Sequence, residues 1–443
     1  MKNIFKPLNP ILNYKKLYLI SCNMDFNYLR EIRNLYETSS SLLEIIFILG
    51  NTTCDIDSAL SAYMLSIGKN LKCGTINLSK KGKPLVNDKT TTLYLPVLNI
   101  QRGTLPHRID VKFIFDKFKI DQNDFWYISD PIFDSKNLFK YKNYENKNIK
   151  TSLILVDHTI LTEDEMYLAD YVIDIYDHHL LTNYPGIYKN LKRMNIKYPT
   201  GSCTTLILND FLCAKKEEDF PIQIISPLLA ISAILIDTKK FNDELYENRW
   251  VDLDKKIYKF LKEIIKEQYK NVKIKEYYKE IRDIKHDVQK NLELGIEALL
   301  SKDQKTFNWA QKKAVWSSFP VSYYDIIKKF GNEQLYDNFM KYYSGKTEEE
   351  KKDTFYITNS NVGEDKKLFT IYNPIKIPFT QEEIKEEIKK NNEKEEFNVE
   401  IEKIENKNEE GKTTGEICKI KLPDTYSRKS FEPILKKFFC NLK

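Results

Sequence analysis

The sequence predicts an α/β protein of two domains, the first built on a mainly parallel sheet flanked by helices and the second a smaller α+β domain with a mixed sheet. Three observations carry that expectation. Short apolar, β-branched runs alternate with segments of helical spacing through the first half. Acidic and histidine residues stand just beyond the ends of those runs, and a charged helical stretch then separates them from a second set of strands. In an open parallel sheet ligands bind beyond the carboxyl ends of the strands, so function is expected there.

Residues 45–49 are the first candidate strand, which stops at Gly50. Helical spacing follows over residues 58–67, where Ala59, Leu60, Ala62 and Leu65 recur on one side. Further buried strands are expected at 93–98, 152–156 and 171–176. The run 227–237 is long for a strand and has Pro227 at its start, which favours a buried helix delivering Asp237 at its C-terminal end. From Trp250 to about Leu300 the pattern is helical and charged, with Leu253, Ile257, Phe260, Leu261, Ile264 and Ile265 on one apolar face. The domain boundary is expected within 270–285, giving a first domain of residues 1–275 and a second of 276–443. In the latter, strands are expected at 314–316, 368–372 and 417–422 and a helix near 381–390, while the hydrophilic segment 393–412 should include a solvated hairpin tip. No internal repeat is present.

A chain of 443 residues with 42% hydrophobic and 13% aromatic residues can bury ordinary cores, which excludes a disordered chain. The net charge of +6 is too modest to specify an anionic partner by itself. Seven cysteines, odd in number and without a CxxC pair, fit reduced thiols in an intracellular protein. The N-terminus lacks a secretory pattern, and no apolar stretch approaches the ~20 residues of a membrane span. A cytoplasmic protein that engages neither membrane nor nucleic acid is expected, as a monomer or weak homodimer.

Asp177-His178-His179 closes the strand at 171–176, and Asp157-His158 closes the strand before it. These segments hold three of the five histidines in the chain. Hard divalent cations take carboxylate oxygens and tolerate imidazole nitrogen, so a metal centre is the first expectation. Asn51-Thr52-Thr53-Cys54-Asp55-Ile56-Asp57 and Asp237-Thr238 complete a set of four such segments. An Asp-x-Asp step can aim two carboxylates at neighbouring ions, and two ions ~3.5–4 Å apart acidify a shared water and clamp an in-line displacement at phosphorus. Hydrolysis of a phosphoanhydride or phosphodiester is the reaction class this suits. Singly, each segment has a structural explanation: Asp55 or Asp57 can cap a helix, His158 can be a satisfied histidine, and Asp237 can bond local backbone. Four together at one sheet edge argue against that reading. Gly201-Ser202-Cys203-Thr204-Thr205 equally suits a backbone cradle for phosphate or the plain start of a helix.

The order of these four segments resembles the motifs of the DHH phosphoesterases, which include family II inorganic pyrophosphatases, exopolyphosphatases, prune-like proteins and RecJ-like nucleases. Asp303-Gln304-Lys305-Thr306-Phe307 and Ser427-Arg428-Lys429 are similar to the phosphate-binding segments of the associated DHHA2 domain. Family II pyrophosphatases begin the first motif with His, whereas Asn51 follows Gly50 here, as in the exopolyphosphatase and prune-like branch. That branch is also similar at residues 98–102, 105–108 and 201–205. Prune-like proteins usually alter the third motif, which is intact here, so the eukaryotic exopolyphosphatases are the nearest resemblance. The spacer Thr52-Thr53-Cys54 departs from the usual Glu-Ser-Ala.

The resemblance implies two Mg²⁺ or Mn²⁺ ions, one held by Asp55 and Asp157 and the other by Asp57, Asp157, His178 and Asp237, with Asp157 as the bridge. It implies terminal hydrolysis of inorganic polyphosphate, or of a short phosphoanhydride, with Asp157, His179, Arg428 and Lys429 as catalytic residues. Asn51, His179, Lys305, Ser427, Arg428 and Lys429 would meet the substrate in a cleft between the domains, while Arg102 and Arg108 equally suit contacts to upstream phosphates or ordinary surface positions. His107 and His286 are expected to be structural.

Overall fold

The structure is a computed structural model and describes residues 28–78, 84–136, 138–139, 149–181, 186–213, 225–309, 312–343, 347–362, 366–390, 400–407, 413–423, 426 and 428–440. The chain divides into two compact units, Met1–Ile284 and Lys285–Lys443.

In the first unit the named elements are α1 (Tyr28–Thr38), β1 (Glu44–Leu49), α2 (Ile56–Lys72), β2 (Ile76–Leu78), β3 (Pro84–Val86), β4 (Thr92–Leu98), α3 (Ile109–Lys117), β5 (Trp126–Tyr127), β6 (Lys150–Val156), β7 (Val172–Asp177), β8 (Arg193–Ile196), α4 (Cys203–Leu212), α5 (Pro227–Asp237), α6 (Asp252–Gln268) and α7 (Ile274–Lys285). A six-stranded sheet runs β5-β4-β1-β6-β7-β8, and all five of its pairings are parallel. The chain fills the β4 and β5 side of β1 first and then the β6 to β8 side, so strand order reverses at β1. The carboxyl ends of β1, β6 and β7 border this reversal, where an open α/β sheet leaves its ligand crevice.

Both faces of the central strands are covered, which is why β1 and β6 read as continuous apolar runs rather than alternating ones. Beside β1 lies α2, seventeen residues long and buried at nearly every position. It starts at Asp55, whose side chain accepts from the Ser58 N–H, and places Lys69 and Lys72 in its last turn, where the dipole favours them. Its Gly68 admits the ring of Phe211 from α4: a Cβ there would lie 2.0 Å from Phe211 Cζ. The expected helix at Pro227 is α5, capped by the Ser226 side chain on Leu228 N–H, with Asp237 as its last residue.

The expected boundary at 275/276 falls inside α7. The division, at 284/285, stays within the expected 270–285 but comes at the end of that helix, because Tyr277 and Ile281 are buried in the first core.

In the second unit, α8 (Val288–Glu293) and α9 (Ile296–Lys302) lead into β9 (Gln304–Trp309) and β10 (Lys312–Ser318). There follow α10 (Tyr323–Tyr343), α11 (Glu348–Asp353), β11 (Thr354–Asn361), β12 (Lys366–Asn373), α12 (Gln381–Lys390), β13 (Glu400–Lys407), β14 (Thr413–Pro423) and α13 (Arg428–Cys440). The sheet order is β13-β14-β12-β11-β10-β9, with β10 and β11 parallel and the other pairs antiparallel. Alternation sends Trp316, Phe355, Ile357 and Ile371 to one core and Val315, Tyr356 and Tyr372 to another on the opposite face. The hairpin expected at 393–412 is described through the antiparallel pairing of β13 with β14; its tip, 408–412, lies outside the described residues. Among the described residues no helix is long and apolar enough to cross a membrane.

Candidate metal centre

The chain leaves β1 through Gly50 and Asn51. Asn51 Oδ1 accepts from Thr53 N (3.0 Å), Thr53 Oγ1 (2.6 Å) and Cys54 N (3.1 Å), while its Nδ2 donates to Asp157 Oδ2 at 2.6 Å. Two backbone N–H groups need an acceptor and a carboxylate needs a donor, so the amide has one orientation that satisfies both. Asn51 thereby shapes the loop and steadies Asp157. Cys54 in that loop has φ 47°, in the left-handed region. Arg108, buried, braces the same turn by donating from Nε to Thr53 O at 2.9 Å and from a terminal nitrogen to Thr52 O at 3.5 Å.

Asp157 follows β6 with φ 63°, a conformation that Asp tolerates better than most residues. Its N–H donates to Tyr176 O at 2.8 Å. Its Oδ1 is buried and accepts no well-formed hydrogen bond, although His178 Nε2 stands 3.1 Å away. Burial, and next the charge of Asp55, push the Asp157 carboxyl up to about 8, with His178 opposing the shift.

His178 ends the strand-to-loop step after β7. Its Nδ1 lies 2.9 Å from Thr200 O, and a carbonyl can only accept, so the proton sits on Nδ1 and the Nε2 lone pair faces Asp157 and Asp57. That is how a metal-ligating imidazole is oriented. Asp177 has a different task. Its Oδ1 accepts from His178 N (2.7 Å), His179 N (3.1 Å) and His179 Nδ1 (2.7 Å), and its Oδ2 from Thr159 Oγ1 (2.6 Å). Burial alone would raise this carboxyl, but the two histidines and these donors hold it well below the usual carboxylate range. Asp177 is filled by donors and orients both histidines.

Asp57 is buried in the first turn of α2. Its Oδ1 accepts from Ser202 Oγ (2.6 Å) and Thr204 N (3.0 Å), and its Oδ2 from Cys203 N (2.6 Å). At the helix start over residues 201–205 the Cys203 and Thr204 N–H groups go to Asp57 and the Gly201 N–H to Asp254, so these donors are engaged within the protein rather than presented to a phosphate. Oδ2 accepts one of these bonds and lies 3.7 Å from His178 Nε2. Asp237 completes the cluster from the end of α5: donor atoms of Asp57, His178 and Asp237 lie within 4.8 Å of one another, as do those of Asp157, His178 and His179. Burial and then the Asp57 and Asp55 charges raise the Asp237 carboxyl well above its ordinary value.

This donor set fits a divalent cation. It is rich in carboxylate oxygen, carries one correctly presented imidazole nitrogen, and includes a buried oxygen that the fold leaves without a hydrogen bond. Four of the five expected ligands, Asp57, Asp157, His178 and Asp237, fall in these clusters; the fifth, Asp55, caps α2 through Oδ1 and adds its charge to Asp157.

The expected phosphate contacts are distributed differently. Arg102 turns its fork to Asp130, with two contacts of 2.7 Å, and lies over the Tyr127 ring. Arg108 serves the Asn51 loop. In the second unit Lys305 is half-buried on β9, and Arg428 donates to Asp303 Oδ1 (2.7 Å), Asp303 O (3.0 Å) and Trp316 O (3.3 Å). Ser427 and the Lys429 side chain lie outside the described residues. His286 Nδ1 lies 3.0 Å from Pro320 O, a local contact. Sequence reasoning missed Thr159 and Thr200, which orient the cluster from loops and carry no pattern that distinguishes them from other loop residues; Ser202 lies in the segment 201–205 already singled out, where it donates to Asp57 rather than to a phosphate.

Residues 45–234 match the family described as DHH family, N-terminal domain. The chain is 26% identical over 285 residues to exopolyphosphatase PRUNE1 of Rattus norvegicus, covering 63% of this chain and 52% of that protein. It is 29% identical over 167 residues to exopolyphosphatase PRUNE1 of Homo sapiens, covering 37% and 30%. The chain thus spans about half the length, or less, of these curated relatives. A solved structure from Methanococcus jannaschii, provisionally described as a family II inorganic pyrophosphatase, matches with a TM-score of 0.54 at 18% identity, covering 89% of this chain and 99% of that one. That likeness is one of fold. A parallel sheet carries acidic and histidine residues at its switch point that could hold a metal ion. Over residues 45–234 the chain carries a DHH family domain, which together with the likeness to PRUNE1 supports a member of the DHH phosphoesterase superfamily.

Proposed function

We propose that this chain hydrolyses phosphoanhydride bonds, and that it is an exopolyphosphatase releasing orthophosphate from the end of inorganic polyphosphate. The observation that carries the reading is Asp157 Oδ1, a buried carboxylate oxygen with no hydrogen bond in a cluster of like charges. Ionising this buried carboxyl beside Asp55 and Asp57 is costly even with His178 Nε2 3.1 Å away. A cation offsets that cost.

Asp55 and Asp157 would hold one ion and Asp57, Asp157, His178 and Asp237 the other, with Mg²⁺ or Mn²⁺ suiting the oxygen-rich set. Bound divalent ions supply charge that acidifies water and neutralises phosphate oxygens. The protein's own groups do the rest. His179, whose Nδ1 is held by Asp177, presents Nε2 to a phosphate oxygen. Asn51 keeps Asp157 in one rotamer. In the second unit Lys305, Ser427, Arg428 and Lys429 would meet the phosphates that gain charge as the bond breaks. For Arg428 that contact competes with Asp303, so substrate must draw the guanidinium from one carboxylate to a phosphate. The reading carries a cytoplasmic protein, monomeric or weakly dimeric, without nucleic acid or membrane as partner. The names of the curated relatives support polyphosphate as substrate, while the fold likeness favours pyrophosphate as the second reading, with a prune-like short-chain phosphoesterase that also binds protein partners beside it.

Orthophosphate release from polyphosphate of defined length, pyrophosphate, a nucleoside tetraphosphate and a cyclic nucleotide, each with Mg²⁺ and Mn²⁺, tests the proposal. Polyphosphate should be shortened from its end. Rapid cleavage of pyrophosphate with polyphosphate untouched would overturn the assignment in favour of a pyrophosphatase.

A further inference from the structure

Asp254 lies in the first turn of α6, 53 residues from Gly201 in sequence, and is fully buried. Its Oδ2 accepts from Gly201 N at 2.8 Å and from Val251 N at 3.0 Å, and its Oδ1 from Thr205 Oγ1 at 2.6 Å. The Gly201 N–H belongs to the same peptide group as the Thr200 carbonyl, and that carbonyl receives the His178 Nδ1 proton. One end of this peptide therefore rests on a carboxylate while the other holds a metal-centre imidazole.

We propose that Asp254 is a positioning residue of the metal centre, acting on His178 through the Thr200–Gly201 peptide and on Asp57 through the start of α4. The inference rests on the metal-centre reading above. A carboxylate accepting from a peptide N–H polarises the peptide and strengthens its carbonyl as an acceptor, as linked hydrogen bonds do in a medium of low dielectric. The stronger carbonyl holds the proton on His178 Nδ1 and keeps the Nε2 lone pair turned toward Asp157 and Asp57. Metal-ligating histidines commonly donate directly to a carboxylate or a carbonyl; here the two are arranged in series. The Thr205 bond fixes the first turn of α4, whose Ser202, Cys203 and Thr204 donors grip Asp57. Close packing makes the linkage stiff. A Cβ at Gly201 would lie 2.5 Å from Thr238 Cγ2 and 3.1 Å from Asp254 Cγ, so only glycine lets the peptide approach this carboxylate.

The test uses the full chain. Asp254→Asn is nearly isosteric: its Oδ1 can accept from Gly201 and Val251 while its amide donates to Thr205 Oγ1, so the charge is removed and the contacts are kept. Ring ¹⁵N spectra of the metal-free protein, simplified by a total of five histidines, report the His178 tautomer; the signal is assigned by its loss in His178→Gln. Calorimetric titration with Mn²⁺ alone reports affinity. The wild type should show His178 protonated only at Nδ1. Asp254→Asn should add the Nε2–H form and weaken Mn²⁺ binding about tenfold, whereas Thr205→Val, which leaves the peptide contact in place, should keep the wild-type tautomer. An unchanged tautomer together with unchanged Mn²⁺ affinity in Asp254→Asn would sink the proposal. Should that variant not fold, an Nε2–H tautomer in the metal-free wild type overturns it equally. If the wild type binds no Mn²⁺, the phosphoesterase reading fails, and the tautomer still tests the linkage separately.

Discussion

Asp157 concentrates the conflict between stability and chemistry at the residue scale. It adopts left-handed backbone, it is buried, and its carboxyl is raised to about 8. In an unfolded chain the same group titrates near 3.8. The folded state thus holds a proton that the unfolded state has lost between these values, so the metal-free protein should lose stability as pH rises from about 4 to about 8. Asp237, shifted in the same direction, adds to the slope. Asn also tolerates the left-handed region, and in Asp157→Asn its amide can donate to the His178 Nε2 lone pair. That variant should fold, flatten the pH slope in urea titrations with chelator present, and lose more than about a hundredfold in phosphate release. A wild-type turnover rate would end the reading of Asp157 as the bridging ligand.

At the scale of elements, helices α2 and α4 hold the centre in place. Helix α2 brings Asp55 and Asp57, and α4 points its first N–H groups at Asp57, so the angle between the two helices sets where that carboxylate stands. Gly68 permits the crossing by admitting the Phe211 ring. A methyl group there forces the ring or the helix aside, and overpacking of this kind costs about 1–3 kcal/mol. Gly68→Ala should lower the unfolding free energy measured in urea by that amount and, by tilting α4, also weaken Mn²⁺ binding. A destabilised variant that binds Mn²⁺ normally would show that the crossing serves the core alone.

The whole molecule is two units, each with its own core. All residues of the metal cluster belong to the first, whereas Lys305 and Arg428 belong to the second. Under the proposed function the first unit alone, residues 1–284, should bind Mn²⁺ yet release no phosphate from polyphosphate, because the cations that meet the substrate are missing. Calorimetry and a phosphate assay on that fragment check this. Full activity of the fragment would remove the second unit from the reaction.

The parallel sheet, the four acidic and histidine segments and the helix delivering Asp237 were legible in the sequence by itself, because buried strands must be apolar and their loops must carry whatever chemistry the fold exposes. The exact bound of the second unit within the expected 270–285 window was not: Tyr277 and Ile281 anchor α7 to the first core through packing that no local pattern encodes. Nor was the division of labour inside the motifs. Asp57 and Asp177 are the same residue type in similar settings, yet Asp177 Oδ1 is filled by donors from its own loop while Asp57 receives donors from Ser202, 145 residues later, and from the helix that follows it. Local composition determined which residues can bind a cation. Only the tertiary structure decided which oxygens are already satisfied by hydrogen bonds and which, like Asp157 Oδ1, are left for one, because that depends on partners brought together by folding.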